Sequence, residues 1–216
     1  MFRHVPNALT GLRLLLALVF FAMLSWYQYE GRGDPTFLNI ASLIYIVALV
    51  TDFLDGYLAR KWHVEGAFGR IVDPFVDKIL VLGSFIFFAG KNFIIPEIVS
   101  GTSMVVRTIT GVAPGIVVIL LARELLITSL RGAAESAGES FGAAFSGKLK
   151  MGFQSGTILV ILLYVNYHGW KFPPPYASIA TGIRDFGIWG TVAITLGSGL
   201  QYLHKAVLLY RTRKDM

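Results

Sequence analysis

Four aspartates stand close together in a chain that is otherwise mostly apolar. Asp52 and Asp55 lie in the run TDFLDGYLAR, and Asp73 and Asp77 follow in GRIVDPFVDK. Oxygen-only ligands of this kind suit hard divalent ions such as Mg²⁺ or Mn²⁺. Two such ions a few ångströms apart form the arrangement that enzymes use for phosphoryl-type displacement. The residue types and their spacing therefore predict either that some of these carboxylates are protonated or that divalent cations neutralise them.

Helices are needed to bring these aspartates together. Because an α-helix turns about 100° per residue, Asp52 and Asp55 lie about 60° apart on one face. Asp73 and Asp77, at a four-residue spacing, form a second stripe on the following helix. Two acidic stripes that face each other across a short loop form a pocket, and small residues on the same stripes leave room for a ligand. These small residues are Gly56, Ala59 and Gly69.

A simpler interpretation stays open for each aspartate taken alone. A carboxylate near a helix end often pairs with a neighbouring base, and the candidate bases here are Arg60, Lys61, Arg70 and Lys78. Four carboxylates in paired stripes at membrane depth favour a functional site, since buried charges are costly there. A calcium-binding EF-hand explains them less well, because its alternating acidic ligands are missing.

The composition indicates the environment of these helices. Of the 216 residues, 55% are hydrophobic and 15% are charged, and the mean hydropathy is +0.64. Such values are typical of an integral membrane protein, and helices close their own backbone hydrogen bonds within lipid. We expect an all-α membrane bundle of six transmembrane helices that forms one domain over residues 1–216, with a short interfacial segment at its N-terminus. The absence of cysteine excludes disulfides and thiolate metal sites.

Six apolar blocks have about the 20 residues that a spanning helix needs. Their expected bounds are 9–29, 37–60, 70–89, 112–134, 148–167 and 185–210. The apolar segment 90–111 is broken by Pro96, so we expect a re-entrant or interfacial loop there. With a cytoplasmic N-terminus, the inner loops hold eight Lys and Arg against five outside, which places the aspartates at the cytoplasmic face. The net charge of +6 indicates anionic lipid headgroups as partners, and we expect no nucleic acid.

The run DFLDGYLARKWHVEGAFGRIVDPFVD resembles the signature of the CDP-alcohol phosphatidyltransferase family, D-x2-D-G-x2-A-R-x8-G-x3-D-x3-D, at all eight fixed positions. The resemblance implies a six-helix, usually dimeric membrane enzyme with two divalent cations, in which an alcohol attacks the β-phosphorus of a CDP-linked lipid and CMP leaves. It implies that Asp52, Asp55 and Asp73 bind metal, and that Asp77 completes the metal site and acts as the catalytic base. The residues that it assigns to the CDP moiety are Asn7, Gly56, Ala59, Arg60 and Gly69.

Three further runs bear on the acceptor alcohol. PNALTGLRL, ARELLITSLRGAAESAG and SGKLKMGFQ resemble a bacterial branch of the family that transfers the phosphatidyl group from CDP-diacylglycerol to sn-glycerol 3-phosphate. Arg123, Arg131 and Lys148, with Lys150 nearby, would bind the acceptor phosphate, which Arg can grip in a bidentate way. The alternatives are an internal carboxylate partner for Arg123 and plain positive-inside topology for the two lysines. Met151 departs from the branch, which often has threonine there.

Other functions stay open at this point. Within the family the acceptor could instead be inositol phosphate, serine or phosphatidylglycerol. A function of a different class is a cation transporter or proton relay, which would need polar residues across the whole bilayer, whereas the charges here concentrate on one side. We expect a homodimeric phosphatidyltransferase of the bacterial inner membrane, with its site facing the cytoplasm, that forms phosphatidylglycerophosphate and CMP.

Overall fold

The computed structural model describes residues 5–29, 31–62, 67–99, 103–136, 145–168 and 176–214. Within these ranges some residues are described by their backbone alone. The predicted site residues whose side chains lie outside the description are Asn7, Ala59, Arg60, Gly69, Asp73 and Lys148. Residues 1–4 of the predicted N-terminal interfacial segment also lie outside the described residues. The chain is helical from Val5 onward.

Six helices make up most of the described chain, one for each predicted apolar block. They are α1 Val5–Trp26, α2 Pro35–Trp62, α3 Ala67–Phe88, α4 Pro114–Ser136, α5 Phe145–His168 and α6 Tyr176–Lys214. Turn residues separate α1 from α2, and Asp34 Oδ1 accepts a hydrogen bond from Phe37 N at 2.8 Å at the start of α2. The prediction of six helices is confirmed.

Three of these helices are long and apolar enough to cross a membrane, judged by length and composition over the described residues. The candidate spans are Ala8–Trp26, Pro35–Leu58 and Leu149–Tyr167. The remaining helices are also long. Helices α3 and α4 carry more charge within their apolar runs, such as Asp77 and Lys78 in α3, whereas the uncharged run 186–203 of α6 is less apolar because it contains several Gly, Ser and Thr residues. The described chain therefore contains six helices, and the statement that all six cross the membrane stays a prediction.

Apolar side chains cover both the inside and the outside of the bundle. The core contains large side chains that are fully buried, among them Phe20, Tyr45, Phe85, Leu120 and Ile161. Large apolar side chains that are more than half exposed include Leu18, Phe53, Leu125, Phe186 and Trp189. An outer surface of this kind is unfavourable in water and is typical of helices surrounded by lipid, where close packing holds the helices together.

The segment between α3 and α4 is a β-hairpin, and the prediction of a re-entrant or interfacial loop missed its strands. A 3₁₀ turn over Lys91–Phe93 leads into β1 Ile94–Val99, which pairs antiparallel with β2 Ser103–Thr108. The reason is the abundance of β-branched residues, which favour strands over helix or loop. Pro96 is tolerated because neither strand of a two-stranded sheet is central.

The hairpin end of the bundle is tied to α1 and lies away from the aspartates along α3. Asn92 Nδ2 donates hydrogen bonds to Leu24 O at 2.9 Å and to Ser25 O at 3.0 Å, which occupies backbone carbonyls at the end of α1. Asp77 lies in the first half of α3, whereas the hairpin follows the last residue of that helix. The aspartates of α3 therefore lie in its N-terminal half, and the hairpin lies beyond its C-terminal end.

The last helix, α6, begins nine residues earlier than the predicted start at 185. Its 39 residues, Tyr176–Lys214, correspond to about 58 Å at 1.5 Å per residue, which exceeds the apolar thickness of a bilayer. The polar pair Arg184 and Asp185 made the first turns look like a loop, yet Arg184 is held by Asp185 and by Ile109 O within the fold. A helix can carry such residues once their charges are paired.

Candidate active site

Arg13 lies at the centre of a buried group of carboxylates, which we call the Arg13 cluster. Its Nη1 donates to Asp52 Oδ1 and Asp77 Oδ1, and its Nη2 donates to Asp55 Oδ2. One guanidinium therefore connects α1 with α2 and α3. The two acidic stripes predicted from helical spacing do face each other, as far as their three described aspartates are concerned.

The exposure of these side chains shows how the cluster opens. The Arg13 side chain is 0% exposed, that of Asp55 is 6% exposed, and that of Asp77 is 22% exposed. The Asp52 side chain, at 37%, is the most accessible of the three described carboxylates. Beside them a Cβ on Gly56 would meet nothing within 4 Å, so the space that the small residue was expected to leave is present. The cluster is thus closed at Asp55 and open toward Asp52.

The Arg13 cluster holds more negative than positive charge. Three carboxylates against one guanidinium leave a net charge of −2 among the described side chains. Like charges brought together away from water repel strongly unless cations neutralise them. The imbalance favours the binding of further positive charge on the open side.

A second group of buried charges, which we call the Glu124 cluster, has the opposite composition. Glu124 Oε1 accepts a hydrogen bond from Arg123 Nη1 at 2.6 Å and another from Lys150 Nζ of α5. Arg123 Nη2 donates to Ser198 Oγ of α6 at 2.9 Å, and its guanidinium lies 5.9 Å from the ring of Tyr202. The alternative foreseen for Arg123, an internal carboxylate partner, is therefore present, and the cluster still carries one more cation than anions.

Two further cations lie near the Glu124 cluster. Lys78 Nζ of α3 donates to Thr128 Oγ1 of α4 at 2.6 Å. Its charge is close enough to those of Arg131 and Arg123 for them to repel one another. Arg131 Nε is buried and has no hydrogen-bond partner within the described chain. Arg123 and Arg131 are thus brought together as predicted, while Lys148 lies outside the described side chains.

Residue Gly199 of α6 allows Arg123 to take this position. A Cβ at Gly199 would lie 3.3 Å from Arg123 Cγ, closer than most Cβ contacts in proteins. The glycine therefore lets α6 approach α4 where the guanidinium passes toward Ser198. Small residues that permit close approach are common where membrane helices pack.

Two residues of these clusters were missed by the sequence argument. Neither Arg13 nor Glu124 is among the site residues predicted from the sequence. The available signal for Arg13 was its position inside an apolar block, since an intramembrane arginine is costly without carboxylate partners. For Glu124 the signal was its place next to Arg123 in the run ARELL.

The fold and the two clusters define a class: a helical membrane protein with a group of carboxylates around Arg13 and, beside it, a group of cations around Glu124. A family model described as CDP-alcohol phosphatidyltransferase matches residues 3–197, and the chain belongs to that family. The family resemblance seen in the sequence is confirmed.

Three relatives have the same name, CDP-diacylglycerol–glycerol-3-phosphate 3-phosphatidyltransferase. The Escherichia coli protein is 30% identical and the Bacillus subtilis protein 25% identical, each over 209 residues that cover 94% of this chain and 94% of the relative. The Cereibacter sphaeroides protein is 36% identical over 101 residues, which cover 47% of this chain and 43% of the relative. The similarity to the first two therefore extends over nearly the whole of both chains.

Members of this family generally use divalent metal ions, and the carboxylates present suit them chemically. The donor set consists of oxygen atoms with an excess of negative charge, which is what a hard divalent ion requires. Among the described side chains, no three of Asp, Glu, His or Cys are placed to hold one metal ion as they stand. The three described carboxylates surround the Arg13 guanidinium instead, and Asp73 lies outside the description.

Proposed function

We propose that the protein transfers the phosphatidyl group from CDP-diacylglycerol to sn-glycerol 3-phosphate, giving phosphatidylglycerophosphate and CMP. The observation that carries this proposal is the juxtaposition of the two clusters. Consecutive residues of α3 reach them: Asp77 contacts Arg13 and Lys78 contacts Thr128 beside the Glu124 cluster. A carboxylate site for a cation-bound pyrophosphate next to a cationic site for an acceptor phosphate fits this reaction. The names of the relatives support the same acceptor.

The chemistry follows from the charges of the two clusters. The acceptor hydroxyl oxygen forms a bond to the β-phosphorus, the bond from that phosphorus to the bridging oxygen breaks, and CMP leaves with the bridging oxygen. The hydroxyl proton passes to the carboxylate of Asp77, the proposed general base. Arg123, Arg131 and Lys148 hold the acceptor phosphate so that its hydroxyl faces the reacting phosphorus.

Divalent ions, Mg²⁺ or Mn²⁺, would be held by Asp52, Asp55, Asp73 and Asp77. Two such ions, when bound, spread the charge on the pyrophosphate and on the leaving CMP. The space beside Gly56 supports a ligand that approaches the backbone of α2 there. The family signature assigns Ala59, Arg60 and Gly69 to the same CDP moiety, and we propose Asn7, in the separate run PNALTGLRL, as a further contact to it.

The cellular setting is part of the proposal. We place the protein in the bacterial inner membrane as a homodimer that crosses the bilayer six times, with the carboxylates facing the cytoplasm. The excess of basic residues on that side supports the orientation, and the bacterial relatives support the organism class. Water-soluble glycerol 3-phosphate would then reach the site directly.

Release of CMP by the purified protein tests the proposed reaction. The protein in detergent would be mixed with CDP-diacylglycerol, Mg²⁺ or Mn²⁺, and one acceptor at a time. We expect glycerol 3-phosphate to give at least about a hundredfold more CMP than inositol phosphate, serine or phosphatidylglycerol, because a site built for one polar group rejects others strongly. No CMP with any acceptor would overturn the enzyme proposal. Release with inositol phosphate alone would retain the family chemistry and overturn the acceptor.

A further inference from the structure

Arg13 lies among three of the carboxylates that are proposed to hold divalent ions. We infer that Arg13 is the built-in counter-cation of the site: it holds Asp52, Asp55 and Asp77 together when no divalent ion is bound, and it shares their oxygens with the ions once they bind. Arg13 is then a positioning residue for the transfer reaction. This inference rests on the proposed function for the role of the ions and on the observed contacts for the role of Arg13.

The geometry of the contacts supports a positioning role. Nη1 contacts one carboxylate from α2 and one from α3, while Nη2 contacts the second carboxylate of α2. Both terminal nitrogens of the planar guanidinium are therefore in use, and one rigid group sets the relative positions of three side chains on two helices. A lysine ammonium, as a single point of charge, cannot reproduce this fork.

The burial of Arg13 supports a stabilising role for this residue in the metal-free protein. The Arg13 side chain is fully buried, and the described carboxylates are half-buried or buried around it. Without a cation among them, three negative charges in this space would repel one another and loosen the packing of α2 and α3 against α1. Arg13 removes part of that repulsion, so the site keeps its form before any ion arrives.

The net charge indicates that Arg13 also limits metal affinity. With Arg13 present, the described side chains carry −2, a charge that one divalent ion neutralises. Without Arg13 they carry −3, and the incoming ion no longer meets a like charge or competes for Nη-bound oxygens. Removal of one charge at contact distance is equivalent to about one pKa unit or more of interaction, which is about tenfold in affinity.

The test compares wild-type protein with Arg13→Gln and Arg13→Lys, purified as full chains in lipid nanodiscs. Two quantities are measured: the Tm after removal of metal with EDTA, and the Kd for Mn²⁺ by titration calorimetry. For Arg13→Gln we expect the metal-free Tm to fall by roughly 5 to 10 °C and Mn²⁺ to bind about tenfold more tightly, restoring most of the lost Tm. Arg13→Lys should lie between the two.

Turnover completes the test, because a positioning residue changes the rate as well as the affinity for metal. At saturating Mn²⁺ we expect Arg13→Gln to lose about a hundredfold in kcat for CMP release, with little change in the KM for CDP-diacylglycerol. Tighter metal binding together with slower turnover is a combination that general loss of structure does not produce. Arg32→Gln, at an exposed arginine in the turn between α1 and α2, is the control and should match wild type.

A double variant separates charge from packing. Arg13→Gln with Asp52→Asn removes one charge of each sign, so we expect its metal-free Tm to recover while the tightening of Mn²⁺ binding is lost. If Arg13→Gln unfolds in EDTA, the variant is purified with Mn²⁺ and its Kd for Mn²⁺ is measured without the EDTA step. The Kd of Arg13→Lys for Mn²⁺ provides a second test. Equal or weaker Mn²⁺ binding than in wild type would overturn the inference. A wild-type protein that binds Mn²⁺ but releases no CMP would overturn the proposed function alone.

Discussion

The two buried ionic clusters have opposite imbalances of charge. In the Arg13 cluster one cation faces three carboxylates, whereas in the Glu124 cluster one carboxylate faces two cations, with Lys78 and Arg131 nearby. A pair between Arg184 and Asp185 at the hairpin end is balanced by comparison. Balanced pairs are explained by the fold alone. The two imbalances match the proposed ligands, which are divalent cations in the Arg13 cluster and the acceptor phosphate beside the Glu124 cluster.

Asp77→Asn is expected to have the largest effect on turnover, because it removes the proposed base from the Arg13 cluster. We expect kcat for CMP release to fall by about a thousandfold, within the range that a general base contributes. Binding of CDP-diacylglycerol, followed by calorimetry, should change by less than about threefold, since two other carboxylates still face Arg13.

Asp34→Asn is a matched control for Asp77→Asn. Asp34 is exposed at the start of α2, and asparagine serves equally well as an N-cap there, so activity should be unchanged. Loss of CDP-lipid binding in Asp77→Asn, rather than loss of turnover, would show that Asp77 acts chiefly as a metal ligand.

Glu124 is the single carboxylate of the Glu124 cluster, as Arg13 is the single cation of the Arg13 cluster. Glu124→Gln tests whether Glu124 also stabilises the ligand-free protein and limits the affinity for the ligand. Removing it leaves Arg123 and Lys150 buried without their shared carboxylate, which should lower the free energy of unfolding by about 3 kcal/mol. Inorganic phosphate should then bind about tenfold more tightly than to wild type and should restore part of the lost Tm.

Calorimetric titration with phosphate and thermal unfolding with and without phosphate check this prediction. Glu135→Gln, an exposed carboxylate near the end of the same helix, is the control. Weaker phosphate binding in Glu124→Gln would contradict the comparison and would indicate that Glu124 holds the two cations in place for the acceptor.

Arg131→Ala gives a smaller effect that sharpens the assignment of the cationic cluster. Arg131 is half-buried and near Lys78 and Arg123, so its loss removes one cation from the acceptor side. We expect the KM for glycerol 3-phosphate to rise about fivefold, the equivalent of one hydrogen bond, with the KM for CDP-diacylglycerol unchanged. Steady-state CMP release with each substrate varied separately measures both, and equal effects on both would indicate a structural role. Arg32→Ala serves as the control.

Much of the fold was predictable because it depends on local composition. Apolar blocks of sufficient length fix the number and order of helices, and turn residues such as those before Pro35 fix their ends. The hairpin was not predicted because the short length of segment 90–111 and its Pro96 favour a loop, whereas its β-branched residues favour strands. The start of α6 was missed because Arg184 looks like a loop residue until Asp185 and Ile109 O are seen to hold it.

The site was predictable only where both partners sit at short spacing in the sequence. Asp52 and Asp55 share a helical face by arithmetic alone. Arg13 is 39 residues from Asp52 and 64 from Asp77, so its contacts depend on how α1 packs against α2 and α3. No periodicity within one helix reports such a contact. Whether Asp73 completes the cluster stays a prediction.

Adjacent residues of α3 join the two clusters mechanically. The Cα atoms of Asp77 and Lys78 are separated by one peptide unit, about 3.8 Å, within a rigid helix. A shift or rotation of α3 that adjusts the carboxylates around Arg13 therefore displaces Lys78 relative to Thr128 by a similar amount. If the two clusters bind the two substrates as proposed, occupancy of one is thermodynamically linked to affinity at the other, and the linkage is reciprocal. If bound CDP-diacylglycerol raises the affinity for the acceptor by some factor, the bound acceptor raises the affinity for CDP-diacylglycerol by the same factor.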